Sequence, residues 1–163
     1  MTSNTFDKIK ERFQHDFISP NLEWEYLESS LKNNDSERIP ILEWVFSNSP
    51  AYWDTRARAG LILLQENEQE TWSMLEKLVD SADPDDNGTA LTVFELTGDS
   101  RGFEYAKRWL ADNIHPATQI EAINFLKELY PDEVLKSLVV LTDHSDPNIR
   151  KTAKRIMDEL ESS

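Results

Sequence analysis

The chain contains no cysteine among its 163 residues. This excludes a disulfide framework, a thiolate zinc site and a cysteine nucleophile. Glycine is nearly as scarce, with four in all, and neither a G-x-S-x-G elbow, a Gly-rich phosphate loop nor a P-C-x-x-C deaminase signature occurs. The three histidines, His15, His115 and His144, stand far apart, without H-E-x-x-H or a second histidine at helical spacing. Capping or surface roles suit them better than metal ligation. Long hydrophobic runs are missing too: Leu61-Ile62-Leu63-Leu64 and Leu138-Val139-Val140-Leu141 fall far short of the roughly 20 residues that cross a bilayer. No basic-then-apolar leader opens the chain. A cytoplasmic protein with no membrane contact, no metal, no cofactor and no enzymatic activity is expected.

Basic residues are also in short supply, with 17 Lys and Arg against 31 Asp and Glu for a formal net charge of -14. The imbalance is steepest between residues 66 and 99, where Glu66, Glu68, Glu70, Glu76, Asp80, Asp83, Asp85, Asp86, Glu95 and Asp99 face the single base Lys77. Such a field repels phosphate and draws in cationic surfaces. The one basic cluster, Arg150, Lys151, Lys154 and Arg155, lies on one side of the last helix. Against the overall balance it does not make a nucleic-acid stripe, and no nucleic-acid partner is expected.

What the chain does have is apolar residues at helical spacing, 39% of the total, punctuated by proline, glycine and asparagine. Nothing reads as a strand. About ten helices are expected, in five hairpins: about 4 to 17 with 21 to 33, 37 to 47 with 50 to 65, 68 to 82 with 88 to 97, 100 to 113 with 116 to 129, and 132 to 143 with 147 to 161. Leu22, Trp24, Leu27 and Leu31 would form the buried face of the second helix, and the five tryptophans mostly continue apolar periodicity. Asn67 and Glu70 have the spacing of a capping box, Gly98 sits where a helix wants a left-handed end, and Pro116, Pro131 and Pro147 fall in first turns.

Four alanines, Ala59, Ala90, Ala122 and Ala153, are spaced 31, 32 and 31 residues apart. Each is followed at three and four positions by large apolar residues: Ile62 and Leu63, Val93 and Phe94, Phe125 and Leu126, Ile156 and Met157. A small residue at this place lets a neighbouring helix approach while the larger ones fill the core. Three positions before each alanine stand Arg56, Asn87, Gln119 and Arg150. The last copy, from Asp146-Pro147 through Ile149, Arg150 and Ala153, resembles the second helix of a HEAT repeat. The resemblance covers about residues 36 to 161 as four repeats, with 1–35 as an N-terminal capping hairpin. It implies one all-α domain, a HEAT-like α-solenoid spanning residues 1–163.

Asp83-Pro84-Asp85-Asp86-Asn87-Gly88 matches the first six positions of a calcium loop, but Phe94 stands where the bidentate glutamate belongs. An inter-helix turn with capping groups is expected there instead. The turn-forming edge carries Tyr52, Trp53 and Asp54, then Asp83, Asp85 and Asp86, then Asp112, then Asp143. Aromatic residues beside carboxylates suit a surface for a basic protein partner. Small, acidic, cysteine-free helical proteins resemble, in general type, bacterial immunity proteins that neutralise a basic nuclease toxin by covering its substrate groove. On that resemblance the chain is a monomer when free and an inhibitor when bound. A HEAT-like scaffold or assembly factor, similar to bilin-lyase subunits and without a toxin partner, is the alternative.

Overall fold

The computed structural model of the chain describes residues 4–111 and 114–163. Among the described residues there are ten α-helices and no strand. They are α1 (Thr5–Arg12), α2 (Pro20–Leu31), α3 (Asp35–Asn48), α4 (Trp53–Glu66), α5 (Glu68–Val79), α6 (Pro84–Thr97), α7 (Arg101–Ala111), α8 (Pro116–Leu129), α9 (Pro131–Leu141) and α10 (Pro147–Glu161). The chain divides into two compact units, Met1–Asp80 with α1 to α5 and Ser81–Ser163 with α6 to α10. The boundary falls between the two helices of the third expected hairpin.

Local chemistry sets most of the helix ends. Asn4, Ser19, Asn67, Asp83, His115 and Asp146 each accept a backbone N–H of the helix that follows. Pro20, Pro84, Pro116, Pro131 and Pro147 open helices where a missing amide is harmless. Gly98 ends α6 at φ +67°, in the left-handed region. Helix α6 starts at Pro84, four residues ahead of the expected position, because the Asp83 carboxylate accepts the Asp85 amide at 2.9 Å and caps it there. It is 14 residues long and not short. Helix α1 stops at Arg12 instead of running to Phe17. The Arg12 guanidinium donates to the His15 carbonyl at 3.0 Å, and Phe13 and Phe17 fold together with ring centroids 5.5 Å apart.

In the first unit, α3 packs against α4 and α5, and α4 also meets α2 and α5. Ile41, Leu42, Val45 and Phe46 of α3 are fully buried. In the second unit, α8 lies between α6 and α10, while α7 packs on α6 and α8, and α9 on α8 and α10. The Thr118 hydroxyl in the first turn of α8 donates to the Asn87 side-chain oxygen in the first turn of α6 at 2.8 Å, so these two helices start side by side. Lys127 of α8 and Glu159 of α10 pair at 2.8 Å near the other end.

The periodic residues act alike in every copy. Ala59, Ala90, Ala122 and Ala153 all have zero exposure. The polar residue three positions earlier reaches back to a backbone carbonyl each time, in the last turn of the preceding helix for Arg56 and Gln119 and in the link after it for Asn87 and Arg150. Arg56 Nε donates to the Phe46 carbonyl at 3.0 Å, and Asn87 Nδ2 to that of Ser81 at 3.1 Å. Gln119 Nε2 donates to the Trp109 carbonyl at 3.2 Å, and Arg150 to those of His144 and Ser145 at 2.7 and 2.8 Å. Carbonyls at a helix C-terminus or in the link after it have no intrahelical partner, so a donor delivered from the next helix satisfies them. Asparagine and glutamine serve here as arginine does.

Two glycines extend the same logic of close approach. A Cβ on Gly60 of α4 would stand 2.7 Å from the Phe46 ring, and one on Gly102 of α7 would stand 2.6 Å from Phe94 Cβ and 2.8 Å from the Phe125 ring. Of the tryptophans, Trp109 is buried, while Trp24, Trp44, Trp53 and Trp72 are half-buried. The alanine and glycine contacts lead to a stability prediction. Ala122→Trp, Ala153→Trp and Gly102→Ala should each overpack a helix contact and lower stability by about 1 to 3 kcal/mol or more. Thermal or urea melts check this, and wild-type stability in all three would show that these positions are not close contacts.

Candidate partner-binding surfaces

Tyr52 lies in the link Ser49-Pro50-Ala51-Tyr52 between α3 and α4, a turn closed by its own serine. The Ser49 hydroxyl donates to the Val45 carbonyl at 2.8 Å and accepts the Ala51 amide at 3.3 Å. Tyr52 is then tied to two distant segments. Its backbone N–H donates to Glu23 Oε1 at 2.9 Å, and its hydroxyl donates to the Phe17 carbonyl at 2.8 Å. The ring remains 39% exposed. Trp53, which opens α4, is half-buried, and Asp54 is exposed in the first turn, where a carboxylate complements the positive end of the helix.

Glu23 was not legible as a functional residue, and Leu22 was expected on the buried face in its place. The structure reverses the two: Leu22 is 47% exposed and Glu23 is 4% exposed. Glu23, Leu27 and Leu31 succeed one another at four-residue intervals, so the stripe buried by α2 runs through the glutamate. Burial raises the Glu23 pKa. The nearby Thr55 hydroxyl, the Tyr52 amide and the Arg12 charge pull the other way. Thr55 Oγ1 is itself fully buried and finds no partner of hydrogen-bond geometry among the described residues.

The expected acidic residues of the second unit sit mainly at helix starts. Asp83 caps α6, Asp85 is exposed in its first turn, and Asp86 accepts the Ser81 hydroxyl at 2.6 Å. Asp143 is exposed in the turn after α9, with its amide bonded to the Val140 carbonyl. Asp112 lies outside the described residues. The structure thus brings together Tyr52, Trp53 and Asp54 in the first unit, and Asp83, Asp85 and Asp86 in the second. Helix α6 is already continuous across the calcium-like stretch: Asn87 is committed to Ser81 and Thr118, and Phe94 is buried. Among the described residues no three His, Asp or Glu side chains group so as to hold a metal ion.

His115 caps α8 by accepting the Ala117 amide through Nδ1, and His144 accepts the Asp146 amide through Nδ1 in the turn before α10. Within the basic cluster, Arg150 serves backbone carbonyls and Arg155 pairs with Glu159. The first unit also has a groove of about 210 Å³ between α3, α4 and α5. Its lining combines Ile39, Leu63 and Met74 with Glu43, Glu66 and Glu70. Glu66 is paired with Arg38 at 2.9 Å and Glu70 accepts from Asn67 at 2.7 Å.

The Glu23 site makes stability depend on pH with a definite sign. Burial raises its folded-state pKa above the ordinary carboxylate value, so the folded chain holds this proton more tightly than the unfolded chain. That contribution is present below the unfolded pKa and is lost as pH rises through the folded one. Glu23→Gln keeps an acceptor for the Tyr52 amide, offers a donor to Thr55 Oγ1 and carries no charge. It should melt no lower than wild type at pH 7, with the difference shrinking as pH falls through the raised carboxyl pKa. A lower melting temperature at pH 7 would show that attraction to Arg12 and the start of α4 outweighs the burial. In a separate melt, millimolar calcium should leave the wild-type transition unchanged. A rise reversed by chelator would show that the Asp83 stretch is a cation site.

No protein family, curated protein or solved structure matches the chain.

Proposed function

We propose that the chain is a non-enzymatic protein-binding module for a basic protein partner. We place its role with the immunity and inhibitor proteins, as a cytoplasmic monomer that occludes a basic toxin, foremost a nuclease. The observation that carries this reading is the charge. Residues 1–80 hold 15 acids against 8 bases and residues 81–163 hold 16 against 9, so each unit has a net charge of -7. The boundary between the units falls within the acidic stretch 66–99, whose ten acids and one base supply most of the excess in each. A surface of this sign accelerates encounter with a cationic protein and competes with the phosphates that a nuclease groove is built to receive. Exposed carboxylates contribute to it in both units, Asp54 two residues after the aromatic Tyr52 in the first and Asp85 and Asp143 in the second.

The test is kinetic. The purified chain is titrated against basic products of adjacent reading frames, with association and dissociation measured separately and nuclease activity followed where a partner has it. Association should slow by an order of magnitude or more as salt rises, because the screening length falls from about 10 Å at 0.1 M to about 3 Å at 1 M. Lysine at Asp54, Asp85 and Asp143 together should slow association further while leaving helical content unchanged. Binding without loss of nuclease activity would remove the inhibitor role, and salt-independent association would remove the basic-partner reading.

A further inference from the structure

We infer that Ile18, Leu22 and Tyr52 form the anchoring centre of the partner surface, seating an apolar side chain of a basic protein. The inference rests on the basic-partner reading and locates it. Ile18 is 93% exposed, Leu22 47% and Tyr52 39%. The two hydrogen bonds of Tyr52 tie it to the segments that carry the other two, since one goes to Phe17, which precedes Ile18, and the other to Glu23, which follows Leu22. The Ser19 hydroxyl accepts the Leu22 amide at 3.3 Å and holds the intervening turn. The patch is therefore built on fixed backbone, and its aromatic member is held at both ends.

The charges nearby decide what covers it. Residues 13–31 contain Asp16, Glu23, Glu25 and Glu28 and no lysine or arginine, and residues 49–55 contain Asp54 and no base. Asp16, Glu25, Glu28 and Asp54 are exposed. Arg12 stacks on the Phe17 ring at 3.6 Å and donates to the His15 carbonyl, and Arg58 lies 5.7 Å from the Trp24 ring. An apolar centre with carboxylates around it suits a hydrophobic side chain flanked by lysine or arginine. A second copy of the chain would set -14 against -14, and an anionic lipid surface would be repelled likewise.

Two synthetic peptides of equal positive charge test this, one with a central phenylalanine and leucine among lysines and arginines, the other with serines at those two places. Each is titrated into the full-length chain, with amide NMR shifts to locate binding and calorimetry to measure it. The apolar peptide should bind about tenfold or more tighter than its serine counterpart, with shifts centred on residues 17–22 and 52–55. Ile18→Ser and Leu22→Ser should each weaken the apolar peptide by about tenfold and leave the serine peptide unaffected. Both residues are exposed, and unchanged melting temperatures confirm that the variants fold. Equal affinity of the two peptides, or tighter binding of the apolar one centred elsewhere, such as at Val139 and Val140, would overturn the anchoring patch and leave the basic-partner reading standing. Failure of both peptides to bind would count against both. Wild-type dimerisation that Ile18→Ser abolishes in sedimentation would make the patch a self-interface and also overturn the inference.

Discussion

Close approach between helices is the constraint from which the packing follows. The four periodic alanines have no exposed surface, and two glycines meet aromatic rings where even a Cβ would collide. A helix brought this near its neighbour also brings its first turn near the carbonyls of the neighbour's last turn or of the link that follows it. These carbonyls need donors, and the residue three positions before each alanine supplies one. Steric fit and hydrogen-bond satisfaction thus come from a single local arrangement, which explains why arginine, asparagine and glutamine can exchange at that place. Reach and a donor are required there, and charge is not.

The first unit adds a second polar contact at the start of α4, beside that of Arg56. There the group meeting the helix end is an almost fully buried carboxyl, Glu23, beside the buried Thr55 hydroxyl, which finds no partner of hydrogen-bond geometry among the described residues. The Tyr52 amide and the first turn of α4 offer the carboxyl partial positive charge, and Arg12 adds a full one. Burial still raises its pKa. The same hydrogen bond ties the link that carries Tyr52 to α2, the helix that carries Leu22.

The charge works on a longer length scale. Individual surface ion pairs such as Arg38 with Glu66 contribute little to stability. An excess of acid shared by both units acts instead on what approaches the molecule. Together with the aromatic and aliphatic side chains near Tyr52, it supplies the two components of protein recognition, long-range attraction and short-range fit.

Much of the helical architecture was determined by the sequence alone. Periodicity, caps and first-turn prolines are local signals, so α8 and α10 begin and end where the residues say they should. The alanine register likewise located buried positions in every copy. Of the candidate surface, Tyr52, Trp53 and Asp54 were legible as a group because they are consecutive. The tertiary structure decided the rest. It divided the chain after Asp80, buried Glu23 in place of Leu22, exposed Ile18 and tied Tyr52 to both neighbourhoods. The two bonds of Tyr52 join residues 29 and 35 positions apart. Helical periodicity reports which residues share a face of one helix, but contacts at such separation depend on how whole helices meet.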